Sequence, residues 1–117
     1  MCTKPTHWIF EGTGMKEGDG IAGLVGWEFH GEPAQIPGLE VVASGKTRSS
    51  AGEGVYTATV YPGPTGNFVF NAATCWWSDG LSEPPGYFRP EAYEKRFGPD
   101  ARVRRITANV LGRMRGK

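Results

Sequence analysis

Hydrophobic and polar side chains alternate in several short runs along the chain, the period of a strand with one buried face. In residues 7–11, Trp8 and Phe10 fall on one face and His7, Ile9 and Glu11 on the other, which predicts a strand ending at the glycine-rich residues 12–20. Residues 21–31 predict a second, with Val25, Trp27 and Phe29 opposite Gly26, Glu28 and His30. Pro33, Pro37 and Gly38 turn the chain, and residues 39–43 predict a third strand. Residues 44–54 carry no apolar anchor and are expected to form an exposed loop. Residues 55–61 and 67–74, joined by PGPTG, predict a β-hairpin with Tyr56, Ala58 and Val60 on one face and Val55, Thr57, Thr59 and Tyr61 on the other. Phe68 and Phe70 supply its cross-strand aromatics. With Cys75, Trp76 and Trp77, the window 68–81 is the densest apolar stretch and the expected centre of the core.

The period lengthens toward the C-terminus. Residues 82–90 are proline-rich and read as an irregular excursion pinned by Tyr87 and Phe88, followed by a short helix over 91–97 with Pro90 at its start and a Glu91/Lys95 pair. Val103, Ile106, Val110, Leu111 and Met114 form one stripe of a helix over 101–114, capped by Asp100, with Arg102, Arg105 and Arg113 away from it. These elements make one α+β domain, residues 1–117: about five strands in a mostly antiparallel or mixed sheet, with one C-terminal amphipathic helix on a face. An all-β sandwich is the alternative.

Composition adds limits. Eighteen glycines and nine prolines approach low-complexity levels, but six Phe, four Trp and four Tyr spread along 117 residues require a packed fold, so the glycines and prolines read as turns. A net charge of +1 supplies no field for nucleic acid or an anionic membrane, and neither is expected as a partner. The arginine-rich last helix is read as packing on the sheet; as a groove binder it would associate in a strongly salt-dependent way. Two cysteines are too few for a disulfide framework. Cys2 lies in a terminus expected to be mobile, and Cys75, beside two tryptophans, reads as a buried small hydrophobe. No apolar run approaches a membrane span and no secretory leader precedes residue 7, so the expectation is a soluble, unprocessed, cytoplasmic protein.

Candidate chemistry is sparse. If the first two strands pair, His7, Glu11, Glu28 and His30 converge, a ligand set suited to iron or zinc; otherwise these side chains hydrogen-bond or face water. No cofactor is expected from the residues alone. Trp76, Trp77 and Asp79 are the candidates for a small-molecule pocket, flat indole surface beside a carboxylate. The segment GTGMKEGDG lacks the Lys-Ser/Thr ending of a phosphate loop and the spacing of a dinucleotide fingerprint, and reads as a turn.

Four blocks carry a resemblance: HWIFEGTGMKEGDGIAGLVGWEFHG, GLEVVASG, GNFVFNAATCWWSDGLSEPPGY and RVRRITANVLGRM. In this order they resemble the C-terminal region of the N,N-dimethylformamidase large-subunit-like family. The resemblance implies the closing portion of a larger α/β domain of glutamine-amidotransferase-like shape, preceded by several hundred residues that this chain lacks. It also implies hydrolysis of a small amide at an iron held by tyrosine and carboxylate ligands, but none of those ligands maps onto a motif here, so no catalytic residue is carried over. A sheet without its neighbours exposes edges and apolar faces, so a homo-oligomer is expected. The leading expectation is a non-catalytic, self-associating or small-ligand-binding module. The alternative is a metal-dependent hydrolase of C–N bonds using Glu28 and His30 with His7 and Glu11.

Overall fold

The computed structural model describes residues 1–26, 28–29, 31–49, 51–83 and 98–116. Its centre is a three-stranded antiparallel sheet in the order β1 (Glu40–Ser49), β2 (Gly52–Pro62), β3 (Phe68–Asn71). One helix, α1 (Ala101–Met114), and two single 3₁₀ turns, Trp8–Phe10 and Trp77–Gly80, complete the regular structure among the described residues. The α+β class stands, with three of the expected five or so strands present among the described residues.

The predicted hairpin is β2 and β3. Thr59 to Pro62 pair with Phe68 to Asn71, Val60 opposite Phe70, and the connection closes with Gly63 N–H donating to the Asn67 carbonyl at 2.7 Å. Tyr56, Ala58 and Val60 are buried together as their alternation requires. The expected loop over 44–54 is instead a second hairpin: β1 runs on to Ser49, and β2 begins at Gly52. Cross-strand pairing overrides polarity here. Arg48 stands opposite Glu53 and its guanidinium meets that carboxylate at 3.3 Å, so charges that looked like a loop are a strand pair. A bulge between Val41 and Ala43 turns Val42 into the core.

Among the described residues, neither expected N-terminal strand forms. Residues 8–10 make a 3₁₀ turn because His7 caps it: the ring Nδ1 accepts the Ile9 amide at 3.3 Å. Ile9 and Phe10, which alternation would send to opposite faces, are both buried. Residues 21–26 are turns, Gly23 adopts φ 74°, and the one strand-like contact nearby is the isolated bridge of Phe29 to Thr74. Trp27, His30 and the expected helix over 91–97 lie outside the described residues.

The two cysteines exchange their expected places. Cys2 is 2% exposed and bridges Ala43, with Thr3 N–H donating to the Val42 carbonyl and Ser44 N–H to that of Met1, so residues 1–3 line the free edge of β1. The apolar segment window around Cys75 does not cover the thiol, which is exposed.

Helix α1 begins where expected. Asp100 Oδ1 accepts the Arg102 amide at 2.8 Å, and Val103, Ile106 and Val110 are buried. The stripe stops there: Leu111 and Met114 are exposed. The sequence predicted a helix packed on a face of the sheet; the helix rests instead chiefly on the two 3₁₀ turns, although Ile106 and Val110 reach the shared core. Asn109 ties it to the first turn, its amide donating to the carbonyls of Ile9 at 3.0 Å and Glu11 at 2.8 Å.

Candidate functional site

The offset between helix and sheet leaves a cavity of about 660 Å³. The inner face of the sheet supplies Val42, Ala43, Tyr56, Ala58 and Phe70; Ile9, Phe10 and Ile106 close one side, and the irregular residues 15–25 supply Met15, Ile21, Leu24 and Val25. The bulge places Val42 and Ala43 in the wall together.

Most polar groups of the wall are already engaged. Tyr56 donates its hydroxyl to the Ala72 carbonyl at 3.0 Å, and burial pushes its pKa up to about 12. Trp77 donates its indole N–H to Thr107 Oγ1 at 3.0 Å while its ring meets Phe70 edge-on. Asp19 Oδ2 accepts the Lys16 amide at 2.8 Å. Burial raises the Cys2 thiol above the usual range, so it stays protonated. Thr47, on the same sheet face as Tyr56, has a buried Oγ1 with no hydrogen-bond partner.

Of the pocket candidates, only Trp77 lines this space. Trp76 lies with its ring against Gly26, where any Cβ would collide with it, and half-buried Asp79 sits inside the second 3₁₀ turn with its amide donating to the Trp76 carbonyl. Sequence reading missed Tyr56, Cys2 and Thr47 as wall residues. The alternation of Tyr56 with Ala58 carried a signal for the first; the others depend on β1 extending through residues read as a terminus or a loop.

Of the metal candidates, His30 lies outside the described residues, and His7, Glu11 and Glu28 form no metal-binding group. His7 Nε2 donates to Glu40 Oε2 at 3.0 Å because Nδ1 is occupied as an acceptor, and its ring lies 5.2 Å from that of Trp8. Burial works to raise the Glu40 carboxyl, but the hydrogen bond from His7 and the Lys4 charge outweigh it and hold it below the usual range. Glu28 is exposed, and Glu11 follows the first 3₁₀ turn as its cap. No three His, Cys, Asp or Glu side chains gather into a metal-binding group among the described residues. The two tyrosines among the described residues do not offer an iron ligand: Tyr56 is committed to a carbonyl with its hydroxyl hard to ionise, and Tyr61 lies on the outer part of the sheet.

The basic residues of α1 hold the fold. Arg102 pairs with Asp100 at 2.7 Å, Arg104 Nε donates to the Leu81 carbonyl at 2.8 Å, and the Arg113 guanidinium lies 4.7 Å over the Trp8 ring. No described helix is long and apolar enough to cross a membrane.

A family model described as N,N-dimethylformamidase beta subunit-like, C-terminal, matches residues 1–94. That span covers the cavity's sheet, its first 3₁₀ turn and the Trp77 turn, and ends before α1. No curated protein and no solved structure matches the chain.

Proposed function

Given that the chain belongs to the N,N-dimethylformamidase beta subunit-like, C-terminal family, we propose that it works as a binding module and not as a catalyst, taking a small, largely apolar molecule into the cavity beneath its sheet. The cavity carries this reading. Its volume of about 660 Å³ falls within the roughly 300–1,000 Å³ of small-molecule sites, which are mostly apolar with a few placed polar groups. Of the side chains in the wall that would have to ionise to attack a substrate, Cys2 and Tyr56 are both held protonated by burial.

The test is titration with an apolar naphthylamine dye whose emission rises on leaving water. Saturable binding at one dye per chain is expected. Ile21→Trp, a change in the irregular wall, should fill the space and abolish binding without loss of the near-ultraviolet circular dichroism of the folded core. Absence of dye binding by the wild type, or binding indifferent to Ile21→Trp, would overturn the reading.

Self-association is a second part of the proposal, favoured by one observation. Strand β3 is the outer strand of the described sheet, and Val69, 63% exposed, stands opposite the partly exposed Tyr61. A second copy pairing its own β3 antiparallel would extend both sheets and cover this apolar pair. Light scattering after size exclusion should give a dimer for the wild type and a folded monomer for Val69→Lys. A wild-type monomer at micromolar concentration would count against it.

A further inference from the structure

The cavity wall contains one polar atom that the protein leaves unsatisfied. Thr47 Oγ1 is the only buried side-chain nitrogen or oxygen without a hydrogen-bond partner among the described residues. Native folds rarely leave such a group unpaired, and each instance asks for a cause. Its surroundings are defined. Thr47 stands opposite Gly54, and both its Oγ1 and the Phe29 ring lie at the edge of the space a Cβ on Gly54 would occupy, 3.0 and 3.3 Å from it. Thr47 also lines the cavity. Rotation about its Cα–Cβ bond moves the hydroxyl off Gly54 without moving the backbone, and the open space on this wall is the cavity.

The other polar groups leave little choice of guest. Tyr56, Trp77 and Asp19 already have partners within the protein. Asp19, the exposed Lys46 and the Met1 ammonium are the charged groups of the lining, and the ammonium already donates to the Ser44 carbonyl, so no cluster of like charge gathers on this wall to select an ion. Building on the binding reading above, we infer that the guest is an uncharged amphiphile: an apolar body held by the aromatic and aliphatic wall, with one hydroxyl or carbonyl oxygen that pairs with the Thr47 hydroxyl. A threonine hydroxyl both donates and accepts, so either oxygen satisfies it. The apolar body supplies affinity, and the Thr47 contact sets orientation and excludes the hydrocarbon analogue, because a guest without the oxygen leaves the hydroxyl still unpaired.

Naphthalene and naphthol serve as the probe pair, titrated by fluorescence into the wild type, Thr47→Val and Thr47→Ser. Valine keeps the shape and removes the hydroxyl; serine keeps the hydroxyl. Thr47→Val should weaken naphthol about tenfold, the size of one net hydrogen bond, while leaving naphthalene unchanged or slightly tighter. Thr47→Ser should retain naphthol binding. Equal changes for both guests, or naphthol loss in Thr47→Ser matching that in Thr47→Val, would overturn the Thr47 assignment while leaving the cavity as a binding site. Failure of both guests to bind the wild type would overturn the binding reading itself. If Thr47→Val does not fold, the preference of Thr47→Ser for naphthol over naphthalene decides the matter, since loss of that preference with the hydroxyl intact rules the contact out.

Discussion

Asp100 carries two tasks with one carboxylate. It accepts the Arg102 amide at the start of α1 and receives the Arg102 guanidinium at 2.7 Å. That hydrogen bond, ahead of the opposing effect of burial, holds the Asp100 carboxyl below the usual carboxylate range. Because the folded state favours the ionised form, its contribution is complete above the ordinary carboxylate range and is lost as pH falls through the lowered value. Asp100→Ala should cost about 1–2 kcal/mol at neutral pH, and Asp100→Asn, which keeps a capping oxygen, less than about 1 kcal/mol, since the ion pair is partly exposed. Urea unfolding should show the gap between wild type and Asp100→Ala closing at strongly acidic pH; a gap independent of pH would mean the ionised carboxylate contributes nothing. Asp100 was legible in the sequence because capping is decided within three residues. The cysteines were not: the burial of Cys2 depends on Ala43, and the exposure of Cys75 on how its neighbours turn around Gly26.

At the scale of elements, success followed locality again. Helix α1 and the β2–β3 hairpin were readable because an apolar stripe or a short turn joins neighbours in sequence. Residues 7–11 alternated like a strand, but residues 1–3 take the edge of β1, and His7 closes a turn on Ile9. Alternation reports only which side chains are apolar; pairing requires a partner that the local pattern does not name. The polar run 44–49 failed in the opposite direction, since β2 provided a partner for a segment whose side chains gave no hint of one. The junction of α1 with the Trp77 turn is testable at this scale. A Cβ on Gly80 would meet both Val103 methyl groups at 2.8 Å and Leu24 at 3.0 Å. Gly80→Ala should therefore destabilise by about 1–3 kcal/mol through overpacking; a thermal midpoint equal to wild type would show that the turn and α1 are free to separate.

For the molecule as a whole, the pattern of strands and a last helix indicated the α+β class, and it could not reveal the cavity. That space exists because α1 leans on two turns and leaves part of the inner sheet face to residues 15–25, a relation among four segments far apart in sequence. Of the candidate pocket residues Trp76, Trp77 and Asp79, only Trp77 reaches the cavity wall.

The clasp of Asn109 on the carbonyls of Ile9 and Glu11 spans about a hundred residues. It also sets an order in time. Contacts at that separation form late, because a long loop must close before they are rewarded. During synthesis the first turn is made early, yet it has no lasting hold until α1 has left the ribosome. The cavity that both of them wall is consequently slow to take shape, and a chain that has made its sheet still has no complete pocket to offer.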